Sequence, residues 1–147
     1  MNISIGFDHG ALALRAPILK TLAALGHTVT DHGTDSVDSV DYPDYAKLVT
    51  DDVTGNRAEA GILCCTTGIG MSIAANKIRG IRAALVHEED EAVLTRRHNN
   101  ANVLCLGSLH TSPGKASKLV ETFLANSFEG GRHERRVCKF SDWEINS

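Results

Sequence analysis

The segment Gly61-Ile-Leu-Cys-Cys-Thr-Thr-Gly-Ile-Gly-Met-Ser-Ile-Ala-Ala-Asn-Lys77 passes from an apolar run, through a glycine-containing loop, into a stretch of small residues. This order predicts a buried strand, a tight turn and a helix, the arrangement with which α/β proteins hold anions. Gly68 and Gly70 let the turn direct main-chain N–H groups inward, and a helix beginning near Gly70 adds positive charge at its N-terminus. Cys65 and Thr67 flank the loop. Because amide dipoles favour a thiolate over a thiol, the segment can supply both a base and a cradle for negative charge.

Two common phosphate-binding motifs do not fit this loop. A Walker loop closes its glycine run with Lys-Ser/Thr, whereas Ile69-Gly-Met-Ser72 has no lysine at that point. A dinucleotide fingerprint needs three glycines after the first strand, but Ile3-Ser-Ile-Gly-Phe-Asp-His-Gly10 has two, separated by bulky side chains. A purely structural turn, with the cysteines as core residues, stays open from the loop alone.

Composition favours one globular domain, which we predict for residues 1–147. The chain is 42% hydrophobic and 22% charged, enough apolar residues for a core. Its formal charge of −3 argues against a nucleic-acid surface, and no segment approaches membrane-spanning length. The first residues, Met1–Gly6, include no basic region followed by an apolar run. We therefore expect a cytoplasmic protein that binds neither nucleic acid nor membrane.

The four cysteines are Cys64, Cys65, Cys105 and Cys138, and their spacing is not that of a structural zinc site. We expect no metal and reduced thiols. Adjacent side chains of a strand point to opposite faces, so Cys64 and Cys65 should differ, one packed and one free. Cys105, within an apolar run, is expected in the core.

Short apolar runs alternate with helix-like stretches along the chain, which predicts a parallel sheet. The expected strands are Ile3–Phe7, Thr28–Asp31, Ala60–Cys64, Arg82–Val86 and Asn102–Leu106. The expected helices are Leu12–Leu25, Tyr42–Val53, Met71–Ile78, Glu88–Arg97, Pro113–Ala125 and Ser141–Asn146. Pro17 is tolerable only near the first turns of its helix. Five such units predict an α/β fold, a three-layer α/β/α sandwich with a five-stranded parallel Rossmann-like sheet.

The usual order of such a sheet places strands one and three side by side, with a crevice above their carboxyl ends. Asp8 and His9 follow strand one, and Cys65, Thr66 and Thr67 follow strand three. The two polar groups should therefore meet where folds of this kind bind ligands.

Taken together, several motifs make the chain resemble the type B ribose-5-phosphate isomerases and the related galactose-6-phosphate isomerase subunits. The resemblance spans nearly the whole chain. It implies a dimeric or tetrameric enzyme that needs neither metal nor cofactor and interconverts a phosphorylated aldose and ketose through an enediol, with its site at a subunit interface. The motifs are Asp8-His9-Gly10, Val40-Asp-Tyr-Pro43, the segment Gly61–Lys77, Gly80-Ile-Arg-Ala-Ala84, Arg97-His-Asn-Asn-Ala-Asn-Val103, and Gly130-Gly-Arg-His133 with Arg136.

The resemblance also implies roles for individual residues. Cys65 is similar to the family cysteine that removes the proton beside the carbonyl carbon, and Thr67 and His98 are similar to the pair that assists ring opening. The amides of the loop would hold the enediolate oxygens. These amides belong to Thr66, Gly68, Ile69, Gly70, Met71 and Ser72; the remaining substrate-binding residues implied are Asp8, His9 and Asn99, with Arg132, His133 and Arg136 on the phosphate side. Such chemistry needs one base that can return its proton and donors that strengthen as charge reaches the oxygens.

The chain departs from the family pattern at two positions. Many relatives have Gly-x-Arg where this chain has Gly107-Ser-Leu109-His110, and that arginine resembles a phosphate contact. Leu109 cannot replace it, although a protonated His110 can bind phosphate. Thr66 stands where glycine is frequent, which narrows the conformations open to the loop. The preferred sugar therefore stays open, and the alternatives are another phosphorylated hexose, an unphosphorylated sugar, or a sugar-phosphate-binding subunit without turnover.

Each of these residues also has a plain structural interpretation. His98 can interact with the end of its helix, Asp8 can cap the first helix, and the arginines near Arg132 can form a solvated face. The direction of the chain adds one further expectation. The helix that ends at His98 runs antiparallel to the strands, so His98 should lie at the edge opposite Cys65 and should reach a Cys65 only across a two-fold interface.

Overall fold

A computed structural model describes residues 1–143 of the protein. Its five strands form one all-parallel sheet in the order β2-β1-β3-β5-β4, so strands one and three are neighbours as predicted. The strands are β1 Asn2–Phe7, β2 Thr28–Asp31, β3 Ala60–Cys65, β4 Ala83–Leu85 and β5 Val103–Gly107. The helices are α1 Leu12–Ala24, α2 Tyr42–Thr54, α3 Ile69–Ala75, α4 Glu89–Asn99, α5 Pro113–Leu124 and α6 Arg132–Trp143, and a 3-10 helix covers His9–Ala11.

The sheet is the middle layer of the predicted α/β/α sandwich. Helices α1, α4 and α5 cover one face, where Leu14, Leu104 and Phe123 join the core. Helices α2 and α3 cover the other face around Val49 and Met71. Both faces of β1, β3 and β5 are therefore buried, which is why these strands are largely apolar runs rather than alternating patterns. The edge strand β2 is mostly exposed, and its sequence is more polar.

The alternation of side chains along β3 separates its two cysteines. Cys64 packs into the core beneath α1 and α5, and Cys65 into the core beneath α2 and α3. The expectation that one of them is free was wrong, because Cys65 is only 4% exposed and Cys64 is fully buried. The loop after β3 folds back over Cys65 and covers its thiol.

Two helices differ from the sequence-based expectation by more than two residues at one end. The last helix begins at Arg132 rather than Ser141, and the predicted end at Asn146 lies outside the described residues. From the sequence, the arginines of its first turns are interpreted as an anion-binding or solvated charge run, so they are not assigned to a helix. Helix α3 covers Ile69–Ala75 rather than Met71–Ile78, because Asn76 leaves the helix and pairs with β4.

Pro17 lies in the second turn of α1. The carbonyl that would have accepted its missing N–H belongs to Ala13, which is exposed and accessible to water. This exposure explains how the helix continues through the proline. Among residues 1–143, no helix combines the length and apolarity that crossing a bilayer requires.

Candidate active site

The carboxyl ends of β1 and β3 lie side by side and bring the first group of predicted residues together. Phe7 pairs with Cys64 in the sheet, and the Asp8 N–H donates to the Cys64 carbonyl at 3.2 Å. The Asp8 carboxylate caps the 3-10 helix by accepting the Gly10 N–H at 2.9 Å. Burial raises the pKa of Asp8, and the hydrogen bond from Gly10 and the nearby His9 partly offset this effect. The capping role expected for Asp8 is therefore present, at the crevice itself.

The Cys65 thiol lies inside the loop that follows it. Its Sγ accepts a hydrogen bond from the Gly68 N–H at 3.1 Å. Such a bond is stronger when the sulfur is a thiolate, because charge-assisted hydrogen bonds exceed neutral ones. Gly68 has a φ of +76°, and a Cβ there would lie 2.5 Å from Leu85 Cδ1. Glycine is needed at this position both for the backbone conformation and for the close packing.

Burial keeps the other two buried thiols, Cys64 and Cys105, protonated. Burial raises the pKa of Cys64 well above its usual range, with a further contribution from Cys105. Burial likewise raises the pKa of Cys105, and the neighbouring Cys65 adds to the effect. Both thiols stay protonated at neutral pH, so neither can serve as a base.

The loop amides divide into two sets. The Gly68 N–H donates to Cys65, the Ile69 N–H donates to Thr67 Oγ1 at 3.3 Å, and the Ser72 N–H donates to the Gly68 carbonyl at 3.0 Å. The second set has no hydrogen-bond partner among residues 1–143 and can donate to a substrate without losing an internal bond; it consists of the amides of Thr66, Thr67, Gly70 and Met71.

Neighbouring elements hold the loop tightly in place. The Leu109 N–H donates to the Thr66 carbonyl at 2.9 Å, and the Ser108 hydroxyl donates to the Gly10 carbonyl at 2.6 Å. The Tyr42 ring packs on Gly70 so closely that a Cβ there would lie 2.6 Å from the ring. Contacts from the turn after β5 and from α2 therefore hold the loop in place.

A second group of predicted residues lies where α4 ends and α6 begins. The rings of His98 and His133 are stacked with centroids 4.0 Å apart and planes 7° from parallel. Glu129 lies beside both, with Oε2 at 3.7 Å from His98 Nε2 and 3.8 Å from His133 Nε2. Arg97 donates from Nε to Glu129 Oε1 at 2.6 Å and fixes that carboxylate.

This second group carries a surplus of positive charge. Arg132 and Arg136 lie one turn apart on α6, exposed to solvent, on either side of the buried His133. The pKa of His133 is lowered, first by burial and then by His98, Arg132 and Arg136. A negatively charged ligand near this group would relieve the repulsion among these cations.

The same residues do not form a ready metal centre. Ligand atoms of His98, Glu129 and His133 all lie within 4.8 Å of one another. However, the nearly parallel stacking of the two rings makes their in-plane lone pairs point alongside each other rather than toward one ion. A tetrahedral site needs lone pairs that converge, so this arrangement fits an anion-binding cluster better than a metal centre.

The two groups lie at opposite edges of the sheet within one chain. Cys65 pairs with Gly107 at the carboxyl ends of β3 and β5. His98 lies in the last turn of α4, just before β5 begins at Val103. A strand rise of about 3.3 Å per residue separates the two ends of β5 by roughly 13 Å. One chain therefore does not bring His98 to Cys65.

A cleft of about 430 Å³ lies beside β4, between α4 and α6. Asn99 lines this cleft together with Arg82, Thr95 and Phe140. Asn99 is the last residue of α4, directly after His98 of the second group.

Leu109 is 64% exposed and makes no polar contact that could replace the arginine of many relatives. The adjacent His110 lies edge-on to His87, with ring centroids 6.2 Å apart. Both histidines follow carboxyl ends of strands, His87 after β4 and His110 after β5. Imidazoles are therefore present on the carboxyl edge where the arginine is missing.

Sequence reasoning missed Glu129, which organises the second group. Its partner Arg97 is 32 residues away, so no local residue spacing predicts the ion pair. Its position four residues before His133 was the one available signal. Sequence reasoning also missed the contact between Val40 and His9 across 31 residues.

These features together define an α/β protein with a buried thiol at its crevice that accepts a main-chain hydrogen bond, and with a cationic cluster at the opposite edge of the sheet. A family model described as Ribose/Galactose Isomerase matches residues 3–140. The chain belongs to this family.

Individual relatives agree with this assignment. The chain is 44% identical to ribose-5-phosphate isomerase B of Escherichia coli over 92% of its own length and 91% of the relative's. It superposes on ribose-5-phosphate isomerase B of Clostridium thermocellum with a TM-score of 0.96, at 42% identity and 99% coverage of both chains. It superposes on the Mycoplasma genitalium enzyme with bound ribulose-5-phosphate with a TM-score of 0.95, at 44% identity, covering 99% of this chain and 97% of the other.

Proposed function

We propose that the protein is an aldose–ketose isomerase that interconverts ribose 5-phosphate and ribulose 5-phosphate. The observation that carries the proposal is the Cys65 thiol, which accepts the Gly68 N–H at 3.1 Å inside a loop of main-chain donors. A base and donors to oxygen lie together in the crevice where such folds bind ligands. The relatives named above, including one with ribulose-5-phosphate bound, support this choice of substrate.

The reaction proceeds in two stages. Thr67 and His98 first assist opening of the sugar ring by moving a proton between the ring oxygen and the hydroxyl of the anomeric carbon. The Cys65 thiolate then takes the proton from the carbon beside the carbonyl, and the electron pair moves to the carbonyl oxygen. Loop amides hold the enediolate oxygens while the hydroxyl proton on the second carbon's oxygen passes to the oxygen of the first carbon. The electron pair left on the second oxygen forms the new carbonyl, and the electron pair of the carbon–carbon double bond takes the proton back from the Cys65 thiol onto the first carbon. No bond to a metal or cofactor is needed, because one base and a set of donors complete the proton transfer.

The proposed active site is composite and requires a two-fold homodimer, alone or within a homotetramer. Cys65 and Thr67 come from one chain and His98 from the other, since one chain separates them by the length of β5. Exposed apolar side chains on α3 and α4 support such an interface: Ile69 is 52% exposed, Ile73 57% and Leu94 43%. An isologous interface between two such faces creates two identical sites.

The second group supplies the phosphate-side contacts in this proposal. Arg132, His133 and Arg136 gather cationic and N–H donors on α6, and Asn99 adds an amide at the end of α4. Arginine matches phosphate oxygens with charge-assisted hydrogen bonds. Asp8 and His9 contact the sugar from the Cys65 side of the site.

The proposal also includes a cytoplasmic location. The four cysteines are all unpaired, and three of them are buried within the fold. Unpaired thiols of this kind suit a reducing compartment.

A turnover panel tests the proposed substrate. Pentose and hexose phosphates are offered beside the corresponding free sugars, and incorporation of deuterium from solvent is followed at the carbon next to the carbonyl. We expect ribose 5-phosphate to give the highest kcat/KM, with exchange at that carbon. Faster turnover of a hexose phosphate or a free sugar would overturn the substrate, and binding without exchange for every compound would identify a non-catalytic subunit.

A further inference from the structure

His9 lies between the loop after β3 and the segment that precedes α2. It begins the 3-10 helix at the carboxyl end of β1 and is half-buried. The next residue, Gly10, is held against this loop region, because a Cβ at Gly10 would lie 2.1 Å from Thr66 Oγ1. The Ser108 hydroxyl, just after β5, donates to the Gly10 carbonyl. The backbone of His9 is therefore firmly placed at the crevice.

The ring of His9 accepts a hydrogen bond from the main chain of another segment. The Val40 N–H donates to His9 Nδ1 at 3.2 Å. An amide N–H only donates, so Nδ1 must keep its lone pair. The proton of the neutral imidazole then lies on Nε2, at the other side of the ring. Within residues 1–143, no protein group hydrogen-bonds to that Nε2.

Segment 32–41 is held by contacts at both of its ends. The Thr34 N–H donates to the Phe7 carbonyl at 3.1 Å, and Arg15 Nη1 donates to the Thr34 carbonyl at 3.1 Å. Between these ends the chain bulges outward, and Val37 is 81% exposed. The contact of Val40 with His9 closes the segment just before α2 begins. One hydrogen bond therefore sets both the end of the segment and the state of the ring.

We propose that the Val40 main-chain N–H is a positioning group that holds His9 as the Nε2–H tautomer, so that His9 acts on the substrate as a hydrogen-bond donor to an oxygen atom and not as a proton acceptor. The donor role of His9 toward the substrate rests on the proposed function, whereas the tautomer does not. His9 is thereby separated in role from Cys65, the base, and from Asp8, whose carboxylate accepts hydrogen bonds.

Nitrogen NMR of the protein labelled with ¹⁵N in histidine measures the tautomer directly, with His9→Asn used to assign the His9 signals. We expect a pyridine-type Nδ1 and a pyrrole-type Nε2 in the uncharged ring, without any substrate present. A pyrrole-type Nδ1 would overturn the proposal even if the isomerase activity were proven. Failure of the turnover panel would leave the measured tautomer unaffected, so the two failures are distinguishable.

Two substitutions of His9 distinguish the roles of its two ring nitrogens. His9→Asn places an amide oxygen near Nδ1 and keeps the acceptor for Val40, but it has no donor near Nε2. His9→Gln can place an N–H near Nε2 and has no acceptor near Nδ1. We expect His9→Asn to raise KM for ribose 5-phosphate about 10-fold or more, and His9→Gln to raise it less, as the loss of one donor bond predicts. Equal losses in both variants, or a larger loss in His9→Gln, would overturn the donor role.

Val40→Pro removes the N–H without changing His9, and Val37→Pro is the matched control in the same segment. We expect Val40→Pro to allow the second tautomer to appear in the nitrogen spectrum, while Val37→Pro leaves the spectrum unchanged. Amide hydrogen exchange at Val40 should also be faster in His9→Gln than in His9→Asn. An unaltered His9 spectrum in folded Val40→Pro would show that Val40 does not set the tautomer.

Discussion

Cys65 differs from the other buried thiols through one hydrogen bond, which the Gly68 N–H donates to its sulfur. If Cys65 is the base, Cys65→Ser should lower kcat by roughly 10²–10⁴, the usual loss for a positioned base, with little change in substrate binding. Steady-state kinetics and isothermal titration with ribose 5-phosphate measure the two effects separately.

The matched control is Cys64→Ala, one residue away on the opposite face of the sheet. It should leave kcat within a few-fold of the original value, because Cys64 stays protonated and does not reach the crevice. Near-normal isomerisation by Cys65→Ser would assign the proton transfer to a carboxylate, with Asp8 as the nearest candidate.

Arg136 and Arg135 are adjacent on α6 but differ in their surroundings, since Arg136 is one of the cations that lower the pKa of His133. Arg136→Ala should reduce kcat/KM for ribose 5-phosphate about 10- to 100-fold and change that for free ribose little, because the lost contact is to phosphate. Arg135→Ala is the control and should change neither. Equal losses on both sugars would make Arg136 a structural residue.

At the residue scale, the local sequence predicts much of the crevice but little of the second group. The glycine loop and Asp8 could be predicted because each lies at a strand end, where backbone chemistry fixes the role. The ring stacking of His98 on His133 and the carboxylate of Glu129 depend on contacts between α4 and the start of α6. The residue spacing within either helix does not predict how closely the two helices approach each other.

Helix α2 is attached to β1 and to the end of β2 through the carboxylate of Asp52. Ser4 Oγ donates to Asp52 at 2.8 Å, His32 Nε2 lies 2.7 Å away and Arg57 Nε 2.8 Å away. Burial raises the pKa of Asp52, but the hydrogen bonds from His32, Arg57 and Ser4 outweigh it and lower the pKa to about 2. The carboxylate therefore stays ionised in the folded protein down to strongly acidic pH.

This low pKa stabilises the fold at every pH above the ordinary range of an aspartate, and the contribution disappears as the pH falls from about 4 to about 2. Asp52→Asn should lower the free energy of unfolding by about 2 kcal/mol at pH 7, and the difference from the original protein should shrink toward pH 2. Urea unfolding across this range measures the effect. Asp51→Asn, which changes only an exposed pair with Lys47, is the control and should lower it by less than about 0.5 kcal/mol.

The open edge of β4 is covered by one side chain. Asn76 Nδ2 donates to the Ala83 carbonyl, and the Ala83 N–H donates to Asn76 Oδ1, both at 2.8 Å. The carboxamide thus imitates a neighbouring strand. Asn76→Ala should lower the free energy of unfolding by about 1 kcal/mol and speed amide exchange at Ala83, whereas Lys77→Ala should do neither. Unchanged exchange at Ala83 would show that the pairing does not protect the edge.

At the element scale, strands were predicted more closely than helix ends. Four of the five strands are short apolar runs, so their bounds are visible in the sequence, and the fifth, β2, follows the glycine that ends the turn after α1. The ends of α3 and α6 depend on distant partners instead. Asn76 leaves α3 for β4, and the polar residues that begin α6 share their spacing with a surface charge run.

For the whole molecule, the order of the strands decides where the chemistry can occur. Because β3 and β5 are parallel neighbours, the crevice and the end of α4 cannot meet within one chain. This separation could be predicted from the direction of the chain, before any contact was known. The surface that joins two chains could not be predicted. The exposed Ile69, Ile73 and Leu94 lie on helices whose packing the sequence leaves open.

The central claim is that each active site takes Cys65 and Thr67 from one chain and His98 from its partner. The direct test mixes two inactive proteins, Cys65→Ala and His98→Ala, under conditions that allow subunit exchange, and measures isomerisation of ribose 5-phosphate. Each heterodimer would then hold one site with both changes and one intact site, so random exchange should restore about a quarter of the original activity. No recovered activity in proven heterodimers would place both residues in one chain and contradict the composite site.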